Sequence, residues 1–158
     1  MDIHVVRGQL ANLEEYCNVF CNSALYDHYF KDGDMLRDLL TKAIQKGQLY
    51  IALSSKDETI GVLQMTMDGM CGLPYLNLLG VKDRFRGMGI GTTLVNIFIG
   101  VAEESGYPNM FIMTSEFNVR AKKLYQSLGF KKYCLLPNLM KHGVGEYLFM
   151  RPSSKQSA

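Results

Sequence analysis

The sequence contains no tryptophan, only four prolines and four cysteines, and little excess charge: its formal net charge is +2 at pH 7. A charge this small, without a dense block of lysine and arginine, argues against nucleic acid or a membrane surface as partner. No apolar run approaches the length that spans a bilayer. Because the N-terminus lacks the basic and apolar regions of a signal peptide, we expect a cytoplasmic protein.

The four cysteines do not suggest a metal site. Cys17, Cys21, Cys71 and Cys134 include no Cys-x-x-Cys pair, so we predict no zinc centre and no other metal. In a reducing compartment all four should remain free thiols. An acyl-accepting role for Cys71 or Cys134 would need a histidine nearby, and the sequence places none beside either.

The sequence has 158 residues, of which 47% are hydrophobic. This content suits one globular domain with a sizeable core. We predict a single domain over residues 2–151 and a flexible C-terminal tail over residues 152–158. Periodicity and turn residues predict the order β-α-α-β-β-β-α-β-α-β-β, a mixed α/β sheet of about seven strands with about four helices.

Some boundaries are specific enough to test. The fourth strand is predicted over residues 75–81, and the fifth, at 110–114, should lie parallel to it because a helix connects them. A first helix is predicted to end near Tyr26, within an aromatic loop that continues to Gly33. Asp34 is predicted to cap the second helix.

The last two strands are predicted over residues 130–136 and 146–150. The loop between them contains Pro137, Gly143 and Gly145, residues that favour turns. A further helix is predicted to begin at the cap Asn118.

The most distinctive stretch runs from Leu79 to Leu94. It leaves a strand, crosses a basic loop and enters a helix through three alternating glycines, Gly87, Gly89 and Gly91. Glycine lets the backbone approach a ligand closely, and the first turn of a helix presents N–H groups with a partial positive charge. The pattern therefore predicts an anion cradle best suited to phosphate.

Two common phosphate motifs do not fit this stretch. A P-loop needs a lysine after the last glycine, but Thr92 and Thr93 follow Gly91. The glycine spacing also differs from the Gly-x-Gly-x-x-Gly of dinucleotide-binding folds. Arg84 and Arg86 add positive charge beside the cradle.

The pattern Arg86-x-x-Gly89-x-Gly91, which follows a strand ending in Leu-x-Val, resembles motif A of the GNAT superfamily of acetyl-CoA-dependent N-acetyltransferases. A second segment is similar to another GNAT motif, in which an asparagine opens a helix and a tyrosine follows seven residues later. Here these residues are Asn118 and Tyr125. The predicted order of elements is also that of GNAT domains, so the resemblance covers nearly the whole chain.

The resemblance implies a mostly antiparallel sheet that splays between strands 4 and 5, with the pantetheine arm of acetyl-CoA between them. Backbone groups of Leu79 and Val81 should pair with the arm, as an added strand would. Asn118 should also bond the arm. The pyrophosphate should be held by the side chain of Arg86 and by the N–H groups of Arg86, Gly87, Met88, Gly89, Ile90, Gly91 and Thr92.

The chemistry implied by the resemblance is direct acetyl transfer in a ternary complex. A primary amine that has lost its proton attacks the thioester, and the Tyr125 hydroxyl protonates the departing thiolate. The acceptor is a small-molecule amine or an amine of a peptide or protein, and the sequence does not distinguish them. A monomer and a homodimer are both compatible with the sequence.

Some family members carry a glutamate that can act as the general base for the acceptor amine. No carboxylate stands at the matching positions of this sequence. The matching positions hold Tyr75 and Asn77 on the fourth strand and Met113 on the fifth. Three routes stay open: water relays the proton through Tyr75 or Asn77, the amine arrives deprotonated, or Glu116, just beyond the fifth strand, acts as the base.

Tyr29, Tyr75 and Asn77 are the predicted acceptor-binding residues. The loops expected to wall the acceptor site also carry His142 and Glu146. Two alternatives remain. The chain could be a non-catalytic CoA-binding or acyl-CoA-binding module, which the missing carboxylate suggests. It could also be a transferase of longer acyl groups, with room near Met65, Met67 and Met113.

Overall fold

The computed structural model describes residues 1–154. Its strands are β1 (Ile3–Arg7), β2 (Leu49–Ser54), β3 (Thr59–Thr66), β4 (Tyr75–Val81), β5 (Asn109–Ser115), β6 (Lys131–Lys141) and β7 (Val144–Pro152). Its α-helices are α1 (Leu13–Asn18), α2 (Asp34–Gln45), α3 (Ile90–Glu104) and α4 (Val119–Ser127). A π-helical segment covers Tyr26–Phe30.

The strands form one mixed sheet in the order β1-β2-β3-β4-β5-β7-β6. Neighbouring strands pair antiparallel in the registers β1–β2, β2–β3, β5–β7 and β6–β7, whereas β4 and β5 run parallel. The parallel pairing places Tyr75 opposite Phe111 and Leu76 opposite Ile112. The predicted mixed, mostly antiparallel sheet of seven strands is confirmed; the splay beyond these pairs stays a prediction.

The chain forms two compact units. The first consists of residues 1–65 and 78–95, and the second of residues 66–77 together with the described residues from Asn96 onward. The boundaries fall inside β3, β4 and α3. The single domain over residues 2–151 stays a prediction.

The core of the first unit lies between helices α1 and α2 and the strands they cover. Phe20 and Phe30 pack edge to face there, with ring centroids 6.4 Å apart. An added Cβ at Gly80 would overlap the Phe20 ring, so this glycine permits the close approach of β4 and the turn that follows α1. The buried members are Tyr16, Val19, Phe20, Phe30, Leu36, Leu40, Ala43, Leu49, Ile51, Val62 and Leu78.

The second unit has an aromatic centre in which α4 packs against β7. The Tyr125 ring lies 6.2 Å from the rings of both Phe130 and Phe149, in edge-to-face geometry. All three side chains are buried. This packing fixes the position of α4.

The first helix is shorter than its apolar periodicity predicts. Asn22 adopts a left-handed backbone conformation, with φ of 61°, which interrupts the helix. The Ser23 hydroxyl then accepts the N–H of Tyr26 at 3.1 Å, at the start of the π-helical segment. The aromatic stretch predicted as a loop is therefore helical over Tyr26–Phe30.

The N-cap of α2 lies one residue before the predicted one. Gly33, with φ of 75°, occupies the N-cap position, and Asp34 is the first helical residue. The Asp32 carboxylate accepts the N–H of Met35 at 3.4 Å. Glycine is found here because the chain turns into the helix through a conformation that other residues adopt only with strain.

The last two strands are longer than predicted and a tight turn at His142 and Gly143 joins them. Pro137 lies within β6, the outermost strand of the sheet. A proline is tolerated at an edge, since its missing N–H can face away from the ladder. The register also shifts between Leu136 and Lys141, a stretch in which Asn138 has φ of 56°.

The start of the predicted C-terminal tail is held in place. Pro152 is the last residue of β7, and the Ser153 N–H donates to the Pro108 carbonyl at 2.8 Å. The Ser154 hydroxyl lies 2.7 Å from both oxygens of Glu103. Residues 155–158 of the predicted tail lie outside the described residues.

Among residues 1–154, no helix has both the length and the apolar character needed to cross a bilayer. The same residues contain no group of three or more His, Cys, Asp or Glu side chains arranged to hold a metal ion. All four cysteines are free thiols.

Candidate functional site

The glycine loop begins where β4 ends. The Lys82 N–H still donates to the Ile60 carbonyl of β3 at 2.9 Å, and a single 3₁₀ turn over Asp83–Phe85 follows. Gly87 and Gly89 then adopt φ of 79° and 84°. Two glycines are needed because side-chain-bearing residues rarely adopt this left-handed conformation.

Helix α3 starts directly after these glycines. The Thr93 N–H donates to the Gly89 carbonyl at 3.0 Å, which closes the first helical turn. The N–H groups of Ile90, Gly91 and Thr92 therefore belong to the first turn, whose donors have no partner within the helix. Gly87, Met88 and Gly89 are exposed, whereas Ile90 is buried and anchors the turn. The loop thus presents main-chain donors at an exposed, rigidly anchored helix start.

Gly61 on β3 explains how α3 packs so closely. An added Cβ there would lie 3.0 Å from side-chain atoms of both Ile90 and Leu94. The absence of a side chain at this position lets the first turns of α3 settle against the strand. Gly61 belongs to no motif in the sequence, so only the packing of α3 on β3 reveals its role.

Arg86 holds the loop together. Its Nε donates to the Val81 carbonyl at 3.1 Å, and its NH1 lies 3.2 Å from the Asn22 carbonyl and 3.0 Å from the Asp83 carboxylate. The side chain is only 23% exposed. The structure therefore gives Arg86 a clamp role within the protein; its predicted contact with pyrophosphate stays a prediction. The backbone of Val81 was predicted to bind pantetheine. One lone pair of its carbonyl oxygen accepts the hydrogen bond from the Arg86 Nε.

A carboxylate offsets the other cations near the loop. Glu58 accepts hydrogen bonds from Arg84 and, at 2.9 Å, from Lys82. These bonds, Arg84 first, hold the pKa of Glu58 below its ordinary value. The charge of Arg84 is thus directed to Glu58 as well as to the cradle.

In the second unit, Asn118 caps α4 as predicted. Its side-chain oxygen accepts the Ala121 N–H at 3.2 Å, and its own N–H donates to the Ser115 carbonyl at 2.9 Å. Because the cap uses the amide oxygen, the group that Asn118 would offer a pantetheine arm is its NH₂ donor.

Tyr125 follows two turns later on α4 and is 4% exposed. Burial, and then the neighbouring Tyr75, raise the pKa of Tyr125. Tyr125 therefore remains a neutral phenol at pH 7 and has a proton to donate.

The predicted acceptor residues belong to different units. Tyr75 and Asn77 lie on β4 in the second unit; Tyr75 stacks on Phe111 at 4.7 Å between centroids, and Asn77 is exposed. Tyr29 belongs to the first unit and packs against its apolar core. His142 is exposed in the β6–β7 turn.

Sequence reasoning named Glu146 only as a residue of the acceptor loop, but the structure buries its carboxylate. Glu146 begins the part of β7 that pairs with β5, is 5% exposed and accepts the Ser115 hydroxyl at 2.7 Å. Neighbouring Glu116 is exposed, and its carboxylate accepts the Gly145 N–H at 3.0 Å, which supports the hairpin. Only the pairing of β5 with β7, which is non-local, could have revealed the Ser115–Glu146 contact.

Comparisons with known proteins agree with this fold. The chain is 25% identical over 134 residues to the peptidyl-lysine N-acetyltransferase YjaB of Escherichia coli, covering 83% of this chain and 84% of that protein. It is 32% identical over 82 residues to human N-acetyltransferase 8, covering 49% of this chain and 36% of that protein.

Solved structures share the fold at low sequence identity. Ard1 from Thermoplasma volcanium superposes with a TM-score of 0.82 at 16% identity, over 98% of this chain and 100% of that one. A chain of the NatC complex bound to Gag peptide and CoA gives a TM-score of 0.72 at 21% identity, over 96% and 99%.

The model of the acetyltransferase (GNAT) family matches residues 13–130. This range includes the glycine loop, the Asn118 cap and Tyr125. The match covers well over half of the chain, and both curated relatives, YjaB and N-acetyltransferase 8, are named as N-acetyltransferases. The chain therefore belongs to the GNAT acetyltransferase family and is an enzyme of the acyltransferase class.

Proposed function

We propose that this enzyme transfers the acetyl group of acetyl-CoA to a primary amine by direct attack in a ternary complex. The observation that carries the proposal is the exposed loop in which Gly87 and Gly89, both at positive φ, lead into the first turn of α3. Aligned main-chain donors of this kind suit the pyrophosphate of CoA.

The residues proposed to hold acetyl-CoA have separate tasks. The N–H groups from Arg86 to Thr92 bind the pyrophosphate, and the Arg86 clamp keeps them in place. The backbone of Leu79 and Val81 pairs with the pantetheine amides. The Leu79 N–H also polarises the thioester carbonyl and stabilises the oxyanion that forms there.

Tyr125 is proposed as the proton donor to the leaving thiolate. Its raised pKa keeps the phenol protonated at neutral pH, so Tyr125 carries a proton when negative charge develops on the sulfur. No covalent acyl-enzyme is needed. Neither exposed thiol, Cys71 nor Cys134, is part of the proposal.

For the acceptor, we propose a lysine side chain of a peptide or protein as the first class to test. The YjaB protein, which aligns with 83% of this chain, is named as a peptidyl-lysine N-acetyltransferase. Peptide N-termini and free amino acids are the comparison classes. A cytoplasmic location and a monomeric or homodimeric state stay predictions.

The test of the cradle compares two glycine substitutions with the same backbone strain. Gly89 has φ of 84° and Gly106, at the far end of α3, has φ of 82°. An added Cβ at either position meets open space among the described residues. Gly89→Ala and Gly106→Ala should therefore each lose about 1–2 kcal/mol of stability from left-handed backbone strain.

Only Gly89→Ala should weaken CoA binding, by about tenfold or more, because a methyl group then blocks the approach of the pyrophosphate. Calorimetric titration with CoA measures the affinity, and a thiol-release assay with lysine peptides measures turnover. Equal affinity of the two variants would refute the cradle. No CoA uptake by the wild-type protein would refute the proposed function.

A further inference from the structure

Glu146 is a buried carboxylate held in a defined position. In the β5–β7 register it lies opposite Ser115, whose hydroxyl donates to it at 2.7 Å. It is 5% exposed. Removing a carboxylate from water is unfavourable unless other groups compensate, and the Ser115 hydroxyl is one group that does so here.

Strand alternation defines the face on which Glu146 lies. Tyr75 is opposite Phe111, and Ser115 is four residues beyond Phe111 on β5, so Tyr75, Phe111, Ser115 and Glu146 share one face of the sheet. Met113, where some family members carry a glutamate, lies on the same face. Glu146 thus supplies a carboxylate one strand away from the position where the sequence lacks one.

Two lysines near the start of β7 lie on the other face. Tyr147 points away from the Glu146 face, and Lys122 and Lys132 lie over its ring at 5.1 Å and 4.5 Å. Lys122 also donates to the Glu116 carbonyl at 2.8 Å. Among the described residues, the titratable groups on the Glu146 side include Tyr75 from β4 and Lys141 from β6, which pairs with Val144.

The two tyrosines cannot be the resting base. Burial, and then the charge of Glu146, raise the pKa of Tyr75. The pKa of Tyr125 is raised in the same direction. Both remain phenols at neutral pH. The influence of Glu146 on Tyr75 places the carboxylate within electrostatic reach of Tyr75.

An acceptor ammonium has to lose a proton before its nitrogen can attack, and a carboxylate is a group that can take that proton. Exposed Glu116 is the other carboxylate in this part of the second unit, and it accepts the Gly145 N–H at 3.0 Å.

We propose that Glu146 is the general base, which removes the proton from the acceptor ammonium, and that Ser115 positions it. The inference rests on the proposed acetyl transfer. The ammonium gives one proton to Glu146, and the nitrogen lone pair forms the C–N bond while the carbonyl electrons move onto oxygen. The oxyanion reforms the carbonyl and breaks the C–S bond.

Three proton transfers complete the reaction after the C–S bond breaks. The CoA thiolate takes a proton from Tyr125, and the proton left on the new amide nitrogen restores the phenol. Glu146 releases its proton to solvent when the products leave. One ammonium and one thioester thus give one amide, one thiol and one released proton.

The decisive comparison is between Glu146→Gln and Glu116→Gln, the same substitution at adjacent carboxylates. Glu146→Gln should lower kcat/KM for a lysine peptide at pH 7 by about a hundredfold or more. Glu116→Gln should keep wild-type activity, because the glutamine amide oxygen can still accept the Gly145 N–H. CoA affinity by calorimetry should be unchanged in both. A larger loss in Glu116→Gln would overturn the proposal.

The pH profile separates a base from a merely structural residue. The deficit of Glu146→Gln should shrink as pH rises toward the acceptor pKa, about 10.4 for lysine, because solvent then deprotonates the amine. It should also be smaller for a peptide N-terminus, whose pKa is about 8. A deficit that is constant across pH and acceptors would refute the base role.

A second variant covers the case in which Glu146→Gln fails to fold. Ser115→Ala keeps the carboxylate but removes its donor, and should lower kcat/KM by about tenfold with the same pH trend. A wild-type rate in Ser115→Ala would overturn the positioning role. If the wild-type protein binds CoA but releases no thiol with any amine, the proposed function fails; if it does release thiol and the Glu146 variants match it, only the base assignment fails.

Discussion

Gly80 offers the sharpest test of how the first unit packs. An alanine Cβ at this position would lie 2.7 Å from Cζ and 2.9 Å from Cδ1 of Phe20, and closer still to Cε1. Phe20 is 1% exposed, so its ring has no open space into which to turn. To restore normal contact the ring or the strand must move by roughly 1 Å.

Overpacking of this kind costs about 1–3 kcal/mol. For a chain of this length each kcal/mol lowers Tm by roughly 2–4 °C, so Gly80→Ala should unfold well below the wild-type protein. The control is Gly100→Ala on the exposed face of α3, where an added Cβ meets open space among the described residues. That variant should gain about 0.5–1 kcal/mol from helix propensity.

A double-mutant cycle identifies the cause. Phe20→Leu alone should lower the free energy of unfolding, because it leaves a cavity. In that background the cost of Gly80→Ala should largely disappear, since the ring it collides with is gone. Urea unfolding followed by circular dichroism measures all four proteins. The same cost in both backgrounds would refute the packing argument.

Two further contacts make separate predictions. The Ser154 hydroxyl and then Arg151 lower the pKa of Glu103 from 4.5 to about 2, so its stabilisation is full above pH 4.5 and is lost as pH falls toward 2. Glu103→Gln should therefore be less stable than wild type in urea unfolding at pH 7, and the difference should vanish near pH 2; a pH-independent difference would contradict this cause. Asn118→Ala should lose about 1 kcal/mol, whereas Asn118→Asp, which keeps an acceptor for the Ala121 N–H, should lose less. Equal losses in thermal unfolding would argue against the cap.

Much of the fold could be predicted because its signals are local. Strand β4 was predicted over residues 75–81 and occupies those residues. The Asn118 cap, also predicted, is confirmed by its bond to Ala121. In both cases the signal lies within a few neighbouring residues. For β4 it is the apolar run and the turn residues that flank it, and for α4 it is the capping side chain.

The predictions from the sequence fail where a single residue, or a strand that is distant in the sequence, determines the local structure. The left-handed conformation of Asn22 ends the first helical run, although apolar periodicity continues past it. The environment of Glu146 depends on β7 pairing with β5, and pattern reasoning does not reveal which strands become neighbours. Likewise, the three partners of Arg86 were not evident from a motif that suggested a ligand contact.

The pairing of Glu58 with Lys82 and Arg84 has a consequence for how a dianionic ligand would be captured. Glu58 neutralises one of the two positive charges of Lys82 and Arg84. The single net charge that remains gives only a weak long-range field to steer the ligand from solution. Its retention would then depend on short-range dipoles, which ionic strength screens weakly. An enzyme built in this way would work nearly as well in concentrated salt as in dilute buffer.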